Sequence, residues 1–109
     1  MKADNMAVIF HPAAVQEFLR SRRWYAKRDL RVEQRFAEAV NDAIARAEAA
    51  PESHPVFRGQ FREVRVRRFP FAIYFRLENA AGNPSIAVYA VAHTSRRAGY
   101  WVRRRSPGE

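Results

Sequence analysis

The chain has no cysteine and only two lysines, Lys2 and Lys27, among its 109 residues. Without thiols it can build neither a disulfide framework nor a thiolate metal site, so its stability must come from packing. Phosphate-cradling P-loops, His-Glu-x-x-His pairs, Gly-x-Ser-x-Gly elbows and strand carboxylates at metal-ligand spacing are also missing, which turns the reading away from nucleotide, metalloprotease and acyl-transfer chemistry. His11, His54 and His93 stand in separate segments, so neither a metal nor a cofactor is expected. Long apolar runs are lacking as well. The stretch from Met6 to Phe10, preceded by Lys2 and Asp4, is too short for a signal sequence or a membrane span, so the expectation is a cytoplasmic protein with no membrane partner. No repeat or long linker divides the chain, and a single domain over residues 1–109 is expected.

What the chain has in excess is arginine. The formal net charge is +9, and guanidinium groups suit phosphate and carboxylate partners, so an anionic partner is the first inference. The excess sits in the C-terminal half. Arg58, Arg62, Arg65, Arg67, Arg68 and Arg76 are set against Glu63 and Glu78 alone, and Arg96, Arg97 and Arg103 to Arg105 follow. With no apolar residue after Val102 to hold it down, the segment 103–109 is expected to be a mobile basic tail.

Periodicity predicts helices first and strands second. Ala7 to Phe10 reads as a short buried strand closed by His11-Pro12, where proline suits a first helical turn. Val15, Phe18, Leu19, Arg22 and Tyr25 then share one helical face, with Gln16, Glu17 and Arg20 turned away, to about Arg28. Asp29 can cap a second helix whose stripe of Phe36, Val40, Ala43, Ile44 and Ala47 runs to Ala50 before Pro51 stops it. Alternation then takes over in three strands near Phe61 to Arg68, Phe71 to Glu78 and Ser85 to His93, turning at Phe69-Pro70 and between Asn79 and Pro84. The last strand is apolar on both faces, so it is placed centrally, with the N-terminal strand pairing parallel to it. The fold class is therefore α+β, a helical hairpin packed on a small, mainly antiparallel sheet in the order β-α-α-β-β-β.

Several of these segments together resemble the RelE/ParE toxin superfamily, and the ParE-like branch in particular: the His-Pro-Ala-Ala helix start, the Arg-Phe-Pro-Phe-Ala-Ile-Tyr-Phe stretch from Arg68 to Phe75, and Val91-Ala92-His93 followed by Arg96, Arg97, Tyr100 and Trp101. The resemblance spans about residues 7 to 104. It implies the toxin of a type II toxin-antitoxin pair, a plasmid-stabilisation type of device, neutralised in a hetero-oligomer by a cognate antitoxin laid over a hydrophobic groove. It also implies one of two targets: DNA gyrase, inhibited by binding, or the ribosome with its mRNA, cut by an endonuclease. The helical hairpin, the tail and the absence of lysine from the strands favour the gyrase inhibitor. A degenerate, non-toxic binding module is the third reading.

On that resemblance, His93, Arg96 and Tyr100 are the candidate catalytic residues, able to move protons and stabilise charge at a phosphodiester. The plainer reading of His93 is a hydrogen-bonding residue that closes a strand end. Arg65 and Arg67, on one strand face, join Arg96, Arg97 and Trp101 as candidate target contacts, against the alternatives of a solvated face and of packing for Trp101. Phe18, Trp24, Tyr25 and Phe36 are the candidate antitoxin contacts, because aromatic side chains dominate interfaces, although aromatic packing between the helices competes.

Overall fold

Proline at the first helical position presets φ and gives up an amide that would have no partner, so β1 (Ala7–Phe10) passes directly into α1 (Pro12–Ala26). In the computed structural model, which describes residues 6–80 and 82–107, His11 caps that helix through Nδ1, which accepts from the Ala13 amide at 3.0 Å. Lys2, Asp4, Ala81 and the last two positions of the expected tail lie outside the described residues. Asp29 caps α2 (Leu30–Ala49) as expected, accepting from the Arg31 amide at 2.8 Å. A 3-10 turn at Pro51–Ser53 follows, then β2 (Val56–Arg58), β3 (Phe61–Val66), β4 (Phe71–Ala80) and β5 (Asn83–His93).

The sheet order is β1-β5-β4-β3-β2, with β1 parallel to β5 and every other pair antiparallel. The α+β class and the central β5 are as expected. The added element is β2, a three-residue edge strand whose alternation is too short to stand out in the sequence. Phe36, Val40, Ala43 and Ala47 of α2 and Ala14 of α1 are buried against Val64, Val66, Phe71, Ile73, Phe75, Ile86, Val88 and Val91. The two buried alanines let α2 lie close on the sheet.

The opposite sheet face is also covered, by residues 94–107, which fold back over Tyr74, Ala87, Tyr89 and Ala90. Both faces of β5 are thus buried, and a bulge makes this possible. Tyr74 pairs with Ala90 and Phe75 with Val88, so Tyr89 is the extra residue. Tyr89 and Ala90 therefore both belong to the cluster under the C-terminal segment, and Val91 returns to the helix side.

Two sequence expectations are corrected here. The inward row of α1 is Ala14, Glu17, Phe18 and Tyr25, so Glu17 is buried at 7% exposure, whereas Val15 and Leu19 are exposed. The segment beyond Val102 is not a free extension, because Arg104 and Ser106 are both hydrogen-bonded into the body. No helix among the described residues is long and apolar enough to cross a membrane.

The His11 cap carries a pH signature. Burial lowers the imidazole pKa from 6.5, the Arg104 charge lowers it further, and Glu17 opposes both. The folded chain thus prefers neutral His11, whose Nδ1 must be unprotonated to accept from Ala13. Its contribution is present above pH 6.5 and is lost as pH falls through the depressed folded value. The melting temperature should fall over that range. His11→Asn, which keeps an acceptor and removes the titration, should not show it; an identical pH profile in the variant would contradict the assignment.

Candidate functional site

The C-terminal segment is held on the sheet by two carboxylates, neither of which the sequence patterning singled out. β1 pairs with β5 only as far as Phe10 and Val88, so the ladder on that side of β5 stands open beyond. Glu17 fills the gap: its Oε1 accepts from the Val91 amide at 3.0 Å. Its Oε2 accepts from Tyr100 Oη at 2.6 Å and from Arg104 Nη2 at 2.8 Å, while Arg104 Nη1 donates to the Tyr89 carbonyl at 2.8 Å. One carboxylate therefore ties α1, β5 and the C-terminal segment together.

Glu78 forms the second anchor. It accepts from Arg76 Nε and Tyr89 Oη, each at 2.6 Å, and from the Ser106 hydroxyl. Burial pushes its carboxyl up, but the hydrogen bonds from Ser106, Tyr89 and Arg76 outweigh burial and leave it below the usual carboxylate range. Burial and the bond to Glu78 push the Tyr89 phenol up to about 12. Between the anchors Trp101, 1% exposed, stacks on Tyr74 at 4.6 Å and meets Phe61 edge-on at 4.8 Å.

Residues 93–101 and the neighbouring strands enclose a recess of about 150 Å³, lined by Arg65, Tyr74, His93, Arg96, Arg97 and Tyr100 among others. Most of the catalytic and target-contact candidates thus converge. His93 Nδ1 accepts from the Ser95 amide at 3.0 Å, and its ring lies edge-on to Phe71 of the helix-side core at 5.0 Å. That ring nitrogen is therefore already occupied as an acceptor by a backbone amide. Burial, and then the bond to Glu17, push the Tyr100 phenol well above its usual range, so it keeps its proton, and the Arg96 guanidinium lies 3.8 Å over its ring. Glu63, the carboxylate in the lining, is paired with Arg65 at 2.6 Å. The recess is therefore rich in fixed positive charge and poor in free proton acceptors.

Of the other expected target contacts, Arg67 lies elsewhere and Trp101 reaches the recess only as a buried part of its wall. Arg67 turns to the helix side, 3.7 Å from Asp42 of α2, because the strand ends at Val66. Trp101 is a core residue with no face to offer a partner.

The four candidate antitoxin contacts also separate. Phe36 is fully buried and stacks on half-buried Phe18 at 5.9 Å, so both pack the helices together. Tyr25 is half-buried between Phe36 and Phe69. Trp24 is 53% exposed, with the Arg28 guanidinium 3.5 Å over its ring. Trp24 and Tyr25 line an apolar groove of about 490 Å³ with Arg20, Ser21, Pro70, Phe71 and His93.

The fold has a known counterpart. The YoeB/ParE toxin from Agrobacterium tumefaciens aligns with a TM-score of 0.57 at 14% identity, over 81% of this chain and 98% of that one. At that identity the likeness establishes the architecture alone. No match was found among curated proteins. The family model described as ParE toxin of type II toxin-antitoxin system, parDE, matches residues 8–98. That match takes in both helices and every residue of the five strands but Ala7, and the chain belongs to the ParE toxin family.

Proposed function

We propose that this toxin acts on DNA gyrase by binding, without a hydrolytic step of its own. The observation that carries the reading is the state of the recess. The Nδ1 of His93 is already taken as acceptor by the Ser95 amide, and the Tyr100 phenol is held protonated by Glu17. What remains is a preformed surface of Arg65, Arg96 and Arg97, suited to engaging an anionic target and lacking a free general base for cleaving RNA. Purified toxin titrated into a gyrase supercoiling reaction should inhibit it. Supercoiling that continues at high toxin, with ribosome-bound message cut in parallel, would reverse the assignment.

The cognate antitoxin that the family implies is assigned to the groove between α1 and the start of β4. That groove offers what a protein partner needs at the centre of an interface, an exposed aromatic beside apolar walls, with Arg20 at its rim to meet an acidic segment. Trp24→Ala removes a half-exposed side chain outside the core. It should weaken antitoxin binding by about 2 kcal/mol, roughly thirtyfold, in calorimetry while leaving the melting temperature within a few degrees. Unchanged affinity would place the antitoxin elsewhere.

A further inference from the structure

The +9 charge is unevenly neutralised. On the helix side, the hollow containing Arg35, Arg67 and Arg68 is also lined by Glu38 and Asp42. On the face formed by the C-terminal segment, a hollow of about 490 Å³ is lined by Arg58, Arg97, Ala98, Gly99, Tyr100, Val102 and Arg103, with no acidic residue. Arg58, Arg97 and Arg103 are exposed, and none of them enters an ion pair or hydrogen bond with another side chain among the described residues. The hollow shares Arg97, Gly99 and Tyr100 with the recess that holds Arg65 and Arg96, so the guanidinium groups form a continuous track.

The track is positioned by the backbone. Gly99 adopts φ +74°, and a Cβ there would stand 2.9 Å from Arg58 Nη1, so the bare glycine lets the Arg58 head lie against the loop. Arg58 reaches it from β2, the edge strand on the far side of the sheet from β1.

Its chemistry selects the partner. The aromatic residues of this face do not present a free π-surface. Trp101 is buried, Phe57 and Tyr74 pack against it, and the Tyr100 ring is covered by Arg96. An acidic peptide would find no apolar anchor to bury, and an unpaired strand would find nothing on which to stack its bases. A duplex, whose bases are already stacked and whose backbone repeats a negative charge, needs only the cations. We propose that the hollow of Arg58, Arg97 and Arg103 is a sequence-independent binding site for the phosphodiester backbone of duplex DNA. The proposal does not rest on the gyrase reading.

The test is fluorescence anisotropy with a labelled DNA duplex of arbitrary sequence, over a series of salt concentrations and with no gyrase present. The toxin should bind, and the triple variant Arg58→Gln, Arg97→Gln, Arg103→Gln should bind at least about tenfold more weakly at low salt. Its slope of log affinity against log salt should be shallower by about 2 to 3, one unit or slightly less for each lost phosphate contact. A control with the same change in charge on the helices, Arg23→Gln, Lys27→Gln, Arg35→Gln, should lose far less. Equal loss in the control would reduce the effect to net charge and overturn the site. Tighter binding of a single-stranded RNA of equal length, or displacement of the duplex by polyglutamate at equal charge concentration, would overturn the choice of duplex DNA. Should the triple variant fold poorly, Arg97→Gln/Arg103→Gln alters only exposed side chains and must show a proportionate loss.

Discussion

Glu17→Ala is expected to lose about 3–5 kcal/mol of folding stability in urea titration, among the largest effects of any single substitution in the chain. The side chains of Glu17 and Arg104 are 8% and 19% exposed, so removing the carboxylate strands a guanidinium in a largely dry site. It also leaves the Val91 amide and the Tyr100 hydroxyl without their acceptor. A domain of this size has a total stability of roughly 5–15 kcal/mol, so the loss is a large fraction of the whole. The effect should not be additive. Once Arg104 is also replaced by methionine, the further loss on changing Glu17 should shrink, because most of the single-variant penalty belongs to the uncompensated charge. Strict additivity in that double-mutant cycle would mean the two groups do not act as a pair.

Trp101→Ala should cost about 3–5 kcal/mol by a different mechanism, the loss of a large buried ring and the cavity left among Phe57, Phe61 and Tyr74. The two tryptophans can be told apart, since Trp24 is half-exposed and Trp101 is buried. Trp101→Phe should therefore remove the blue-shifted part of the emission and leave the solvent-exposed part. A variant that melts at the wild-type temperature would show that the segment beyond His93 does not seal a second core. Deleting residues 94–109 is for the same reason a poor way to separate toxicity from antitoxin binding, because it would strip the cover from Tyr74, Tyr89 and Ala90.

The parts of the fold that were legible in the sequence are those in which one periodicity runs long enough to be read. The α2 stripe of Phe36, Val40, Ala43 and Ala47, the Asp29 cap and the two-faced apolar pattern of β5 all lie where expected. The misreadings have specific causes. Glu17 was assigned outward because it is charged, yet it occupies the same helical row as Ala14 and Tyr25, and its compensating charge from Arg104 and its hydrogen bond from Tyr100 come from more than eighty positions away. A row of Ala14, Phe18 and Tyr25 interrupted by one acid is the local signal that could have marked it. Arg104 was read as solvent-seeking with Arg103 and Arg105, which are exposed, because its own burial depends on that same distant carboxylate.

The candidate site was legible as a set of residues but not as a geometry. Arg65, His93, Arg96, Arg97 and Tyr100 do line one recess. The bulge at Tyr89 shifts the alternation of β5, however, and His93 consequently leans on Phe71 while Tyr100 reaches through to Glu17. The resemblance offered His93, Arg96 and Tyr100 as an acid-base cluster beside the plainer reading of His93 as a hydrogen-bonding residue at a strand end, and the bonds to the Ser95 amide and to Glu17 are of the plainer kind. Arg58 was missed because its role comes from the contact between an edge strand and Gly99, which no local pattern contains.

The central claim is that the toxin works by binding, with no proton transfer through His93. The most direct test is gyrase supercoiling in the presence of His93→Asn, which keeps an acceptor for the Ser95 amide and removes the titratable ring. The expected result is inhibition at the same toxin concentration as the wild type. Loss of inhibition in a variant that melts at the wild-type temperature would contradict it.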